Sequence, residues 1–314
     1  MNRLVFFAYF FVLTSCVTAP HAPLAVSPVV AQPKLETQIL EWEFDGNAGT
    51  RITTNFWDIY TTLPYDHILD SLPLFYEELM EHYTSIFTPL PFPSERLEVF
   101  LFSDDSQWKV KLQEILGRQA QHWFQLGRGG LTIDGTAVLY DLDRRGRSRT
   151  TFRIAAHEGW HQYAEAVFET ELPTWLDEGI GTWMEGFRLR RGSIQFEPTN
   201  NWDRLNALRQ IVRADRLAPL SDLLQDSPSD LLDDGRSNLL SYYAQLWGFV
   251  NYLFESNDGK YKTMLEGLIR EFAFSKPSRT RSWLEYFSTD TDSFEQDYRE
   301  WVEQFVQPGS SWRL

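Results

Sequence analysis

The pentapeptide His157-Glu158-Gly159-Trp160-His161 constrains this chain more than any other feature. Residues i and i+4 share one helix face about a turn apart, so on a helix two imidazoles at this spacing can meet one ion. Zinc accepts imidazole nitrogen at about 2 Å, which suits that arrangement. Glu158 projects beside the pair, where a carboxylate can take a proton from water. Around it Ile154, Ala155, Tyr163, Ala164, Val167 and Phe168 form an apolar stripe, and a helix is predicted over Ser148–Phe168. Gly159 costs a helix interior about 1 kcal/mol relative to Ala. Its presence predicts that something packs close. The bland alternative is a helix with two chance histidines.

A second segment weighs against chance. Leu172-Pro173-Thr174-Trp175-Leu176-Asp177-Glu178-Gly179-Ile180-Gly181-Thr182-Trp183 reads as the start of another helix, predicted over Pro173–Leu189. Two antiparallel helices on a short link bring Glu178 towards the histidines. Two His and one carboxylate leave a fourth position open, as a catalytic zinc requires and a structural zinc lacks. Thr182 and Glu185 are candidates for orienting the imidazoles through their other ring nitrogens. A capped and solvated helix face is the competing reading for both. His67, His82 and His122 have no second ligand at metal spacing and read as ordinary surface or packing histidines.

The double motif, HExxH followed by Pro-x-Trp-Leu-x-Glu-Gly, resembles the gluzincins, the group that includes thermolysin and aminopeptidase N. It is similar in particular to the bacterial peptidase MA-like proteins. The resemblance implies a zinc-dependent metallopeptidase. One Zn2+ ion is held by His157, His161 and Glu178, Glu158 acts as general base, and the substrate is a peptide or protein. It also points to Ser241-Tyr242-Tyr243-Ala244-Gln245, where aminopeptidase-type members carry an oxyanion-stabilising tyrosine. Tyr243 aligns best, Tyr242 is the neighbouring candidate, and an aromatic core helix is the alternative for either. The Gly-x-Met-Glu-Asn stretch that caps a free N-terminus in the aminopeptidases is absent. Its nearest counterpart is Gly130–Asp141, whose strand can pair with an extended peptide by its backbone. Two rival readings share this sequence: a non-catalytic gluzincin-fold envelope protein used for binding or assembly, and an amide hydrolase of cell-wall peptides.

The fold class expected is α+β. A small antiparallel or mixed sheet precedes the HExxH helix, and a mainly helical part follows. Strand-like runs occur at Ile39–Phe44, Arg51–Tyr60, Leu97–Phe102 and Thr136–Tyr140. Helices are read at Leu69–Phe87, Ser106–Leu116, Trp202–Asp215, Ser241–Glu255, Tyr261–Phe272 and Asp292–Val306. Residues 36–199 would form the α/β half and 200–314 the helical half.

The N-terminus sets the expected compartment. Leu4–Leu13 is about ten residues of apolar run after Arg3, too short to span a bilayer and right for a signal-peptide core. Leu13-Thr14-Ser15-Cys16 resembles the bacterial lipobox, which implies cleavage after residue 15 and a diacylglycerol on Cys16. Residues 16–35 read as a flexible, proline-rich tether, with His21 inert within it. The protein is thus expected to be lipid-anchored in the cell envelope, outside the cytoplasm, periplasmic and on the outer membrane in a Gram-negative cell. Cys16 is the only cysteine, so no disulfide forms within the chain and no thiolate is available for the metal. The net charge of −15 argues against nucleic acid as a partner, because phosphate would be repelled.

Overall fold

Two Asp-Gly pairs set the frame of the sheet. Asp45 and Gly46 have φ of 50° and 72°, and Asp134 and Gly135 have 46° and 74°. Positive φ at both central residues is the type I′ requirement, and that turn matches the twist of two antiparallel strands. The first pair joins β1 (Gln38–Phe44) to β2 (Asn47–Thr53); the second joins β5 (Gly130–Ile133) to β6 (Thr136–Tyr140). The structure, a computed structural model, describes residues 35–124, 129–143, 149–190, 193–228, 231, 236–275 and 283–307. The expected signal segment, Cys16 and the tether up to residue 34 lie outside them.

The fold is α+β. Six strands lie in the order β1-β2-β3-β4-β6-β5, with β3 (Trp57–Thr61) and β4 (Leu97–Phe102) at the centre. β3, β4 and β6 run parallel, and the hairpin partners at both ends are antiparallel. β4 reads Leu-Glu-Val-Phe-Leu-Phe with almost no alternation because both its faces are covered. On one face Val99 and Leu101 join the main core with α1 (Leu72–Ser85) and α3 (Arg149–Val167). On the other, Phe100 and Phe102 pack with Trp108 and Leu112 of α2 (Asp105–Leu116). Asp104 caps α2, its carboxylate accepting from the Ser106 and Gln107 amides.

Beyond α3 come α4 (Thr174–Met184), a hairpin of β7 (Phe187–Arg190) and β8 (Ser193–Phe196), and then helices: α5 (Trp202–Arg213), α6 (Arg236–Glu255), α7 (Lys260–Phe274) and α8 (Thr291–Phe305). α6 is the central column of this part. From Tyr242 to Leu253 every side chain but the glycine's is buried, so α6 is apolar almost all round. It packs on α4, where Gly179 leaves room for Val250: a Cβ at Gly179 would lie 2.8 Å from Val250 Cγ2. One hydrophobic core runs from the sheet through α3 and α4 into these helices, and residues 35–314 form one compact unit. Among the described residues no helix is long and apolar enough to cross a membrane.

Two sequence expectations are corrected and one is extended. Arg51–Tyr60 is not one strand: β2 ends at Thr53 and β3 begins at Trp57, the gap closed by the Thr54 amide donating to the Trp57 carbonyl. The strand read at Thr136–Tyr140 is β6, and Asp134-Gly135 joins it to a preceding strand, β5, that the pattern did not mark. The helix read to Leu189 stops at Met184, and Phe187 begins a strand that pairs with Phe196. Gly186 is the hinge, since any Cβ there would lie 2.5 Å from Pro198.

His82 acquires a definite role in packing. Its ring stacks on Phe196 of β8 at 3.3 Å between centroids, and its Nε2 is sealed from solvent with no partner among the described residues. Burial pulls its pKa down to about 3, below the ordinary 6.5. The unfolded chain therefore takes up this proton first. Stability from this group is full above pH 6.5 and declines as pH falls towards 3. Between pH 7 and 5 the loss is about 2 kcal/mol at most. Urea unfolding at the two pH values should show that loss in the wild type and its absence in His82→Phe; equal pH dependence in both would refute the assignment.

Candidate metal centre

The centre is built where α3 and α4 pack side by side. The 3.6-residue period puts His157 and His161 on one face of α3, and α4 presents Glu178 to them. His157 Nε2 and His161 Nε2 face the same oxygen, Glu178 Oε2, at 3.2 and 3.6 Å. One donor atom from each residue lies within 4.8 Å of the others, the only such group among the described residues. Gly181 makes the approach of the two helices feasible. A Cβ there would stand 3.1 Å from the His157 ring. Gly159 answers the packing expectation: a Cβ on it would meet the Tyr83 hydroxyl at 2.8 Å.

The outward ring nitrogens are spoken for. His157 Nδ1 donates to Glu185 Oε1 at 3.0 Å, and His161 Nδ1 donates to Asp177 Oδ2 at 2.8 Å. A carboxylate only accepts, so each Nδ1 carries a hydrogen. Each Nε2 faces Glu178 Oε2 across the gap, so the gap holds either a cation, met by both Nε2 lone pairs, or a proton on each Nε2 donated towards that oxygen. Donors sharing one tetrahedral zinc at about 2.0–2.1 Å stand about 3.3 Å apart, close to the contacts seen here. Without a cation, burial lowers the pKa of both imidazoles, but Glu178 and Glu185 around His157, and Asp177 and Glu178 around His161, outweigh it and raise both.

Glu185 is the anchor behind His157. Its Oε1 also accepts from Arg204 Nη2 at 2.7 Å, and its Oε2 accepts from Arg204 Nε at 3.0 Å and Asn201 Nδ2 at 2.8 Å. Burial alone would raise the Glu185 pKa; Arg204 and His157 overcome it and hold the carboxyl well below the usual range. The Arg204 guanidinium lies 5.2 Å from the centre of the Tyr243 ring, which in turn lies 6.0 Å from the His157 ring. Thr182 does not reach the histidines. Its hydroxyl donates to the Gly179 carbonyl of its own helix at 2.8 Å.

Glu158, Tyr243 and the three-residue cluster share one cavity of about 600 Å³. Gly130, Leu131 and Thr132 of the edge strand β5 form its opposite wall. Thr132 Oγ1 donates to Glu158 Oε2 at 2.8 Å, which fixes that carboxylate. Gly130 keeps the wall close: a Cβ there would stand 3.0 Å from Glu158 Cγ. Of the two tyrosines, only Tyr243 lines the cavity. The Tyr242 hydroxyl donates to the Asp226 carbonyl at 2.9 Å.

No family model matches the sequence, and no curated protein sequence does. Among solved structures the chain is similar to an M1 zinc metallopeptidase from Deinococcus radiodurans, at 16% identity and a TM-score of 0.40, over 88% of this chain and 53% of that one. A mutant of that enzyme gives 14% identity and a TM-score of 0.38 over 88% and 53%. A two-domain M1 zinc metallopeptidase mutant bound to L-arginine gives 14% and 0.37 over 87% and 52%. The chain spans about half the length of these structures.

Sequence reading brings together His157, Glu158, His161, Glu178, Glu185 and Tyr243, and the structure gathers all six. It misses Asp177, Thr132, Asn201 and Arg204. Only Asp177 carried a signal, as a second carboxylate beside Glu178. Arg204 should prove costly to remove. Arg204→Leu strands the buried Glu185 charge and should destabilise the fold by about 3–5 kcal/mol in urea unfolding. Adding Glu185→Leu should recover part of that loss; strictly additive costs would show that the two side chains do not act as a pair.

Proposed function

We propose that this protein is a zinc-dependent metallopeptidase. The observation that carries the reading is the convergence of His157 Nε2, His161 Nε2 and Glu178 Oε2 in one cavity, with Glu158 braced beside them. The donor set fits zinc: two imidazole nitrogens with fixed tautomers, one carboxylate, and room for a fourth ligand on the cavity side. Zinc, when bound, supplies Lewis acidity that polarises a carbonyl and acidifies water.

The chain's own residues do the rest. Asp177 and Glu185 hold the imidazoles in the tautomer that presents Nε2. Thr132 engages Glu158 Oε2, and Oε1 takes the proton from the attacking water, then returns it to the leaving amine. The Tyr243 hydroxyl donates to the substrate oxygen as negative charge develops there. An extended peptide lies along β5, whose outer edge pairs with no strand among the described residues and whose residues wall the cavity. That geometry does not require a free N-terminus, so internal peptide bonds fit it as well as terminal ones.

Purified protein should hold one zinc per chain by elemental analysis, and His161→Ala or Glu178→Ala should lose it. Glu158→Gln should keep the metal and lower peptide hydrolysis about 10²–10⁴-fold. Tyr243→Phe should cost about 10²–10³-fold in kcat with little change in KM. A zinc-free protein, or full activity in Glu158→Gln, would overturn the proposal.

The proposal includes a lipid anchor at Cys16, on the strength of Leu13-Thr14-Ser15-Cys16 following a short apolar core. The enzyme would then work at a membrane of the cell envelope. Mass spectrometry of the mature N-terminus should find a diacylated Cys16, and Cys16→Ser should move the protein from the membrane to the soluble fraction. An unmodified Cys16 in membrane-free protein would exclude the anchor.

A further inference from the structure

Seven arginines fall in two short stretches of a chain whose net charge is −15: Arg144, Arg145, Arg147 and Arg149, then Arg188, Arg190 and Arg191. Three of them, on elements far apart in sequence, meet at one cavity. Arg149 opens α3, Arg188 and Arg190 lie on β7, and between them is a hollow of about 410 Å³. Its remaining walls are Phe152, Phe187 and Leu189. Phe152 and Phe187 are buried and both pack on Phe75, so the apolar wall is rigid. Arg188 is tied to Glu197 at 2.9 Å. Arg149 and Arg190 are exposed, and neither forms an ion pair or hydrogen bond among the described residues. No residue of this hollow lines the metal cavity.

We propose that this pocket is an anion-binding exosite for acidic segments of polypeptide substrates, a choice of ligand that rests on the peptidase reading above. Guanidinium forks bind carboxylates in pairs of hydrogen bonds. The aromatic wall takes the apolar side chain that neighbours such a carboxylate. The partial positive charge at the start of α3 adds to the same field. Arg149, Arg153, His157 and His161 form one i, i+4 row along α3, so the exosite and the metal centre share a helix. Eight helical residues separate Arg149 from His157, about 12 Å along the axis. At least about four residues of extended peptide are needed to span that rise. The inference is therefore a preference for substrates with Asp or Glu several residues from the bond cleaved. A flat anionic membrane fits less well, since the charges surround a hollow of side-chain dimensions.

The test separates binding from hydrolysis. The full chain carrying Glu158→Gln is titrated with a fluorescein-labelled, amidated decapeptide of alternating Glu and Leu, and with the same peptide carrying Gln for Glu. Anisotropy at low salt should show the acidic peptide bound at least about tenfold more tightly. The preference should shrink as salt is added. It should vanish in Arg149→Glu/Arg190→Glu and fall in Arg149→Gln/Arg190→Gln, both exposed substitutions whose folding is checked by thermal melting. Equal affinity for the two peptides, or an unchanged preference in the double variants, overturns the exosite. So does retention on phosphatidylglycerol vesicles through these arginines without any preference for the acidic peptide. Because the readout needs neither zinc nor cleavage, failure of the peptidase reading shows separately, as missing metal or hydrolysis alongside intact peptide binding.

Discussion

The buried contact between His157 and Glu185 is the point on which the rest of the site depends. It joins α3 to the end of α4, and it is closed from behind by Arg204 of α5. The guanidinium of Arg204 then faces the ring of Tyr243 on α6. One carboxylate thus links four helices, directly or through Arg204. Hydrophobic contact is non-directional, so it cannot by itself fix the rotation of an imidazole. A charged hydrogen-bond network can, because each member has only one geometry that leaves no polar atom stranded.

Such a network is expensive to assemble in a core. Removing Glu185 and Arg204 from water costs several kcal/mol per ion, and their attraction roughly offsets it. The gain is therefore in position rather than stability. Stability comes instead from the aromatic core of the same unit, in which Trp160, Trp175, Trp183 and Trp247 are all fully buried. Glycine completes the arrangement. At Gly181 the absence of a side chain sets how near α4 can come to His157, and at Gly130 it sets how near β5 can come to Glu158.

The elements carrying the metal motif were the legible ones. Their information is local: a turn-spaced pair of histidines, an apolar stripe, a proline at a helix start. The ends of α3 were predicted within a residue or so for that reason. Alternation in Thr136–Tyr140 marks β6, while its hairpin partner β5, four residues long, carries too short a pattern to stand out. Thr132, Asn201 and Arg204 are another matter. Thr132 lies 26 residues from Glu158, and Arg204 lies 19 from Glu185. Nothing in a linear pattern couples such pairs. Their partnership exists only after the sheet edge and α5 have docked on α3 and α4.

The same distinction governs charge. A net charge of −15 describes how the whole molecule meets solvent and other macromolecules at long range. At physiological salt that influence is screened over roughly 8 Å. A ligand inside a hollow or a cleft therefore senses the few groups lining it, not the total. At the Arg149 pocket those groups are cationic, whereas the cavity at the candidate metal centre is lined by the carboxylates of Glu158, Glu165, Glu171, Asp177 and Glu178. These opposite fields lie about two helical turns apart on α3. A uniform ligand would be favoured by one and repelled by the other. A cation at the carboxylates, together with a polypeptide that extends an acidic group away from them, satisfies both fields at once.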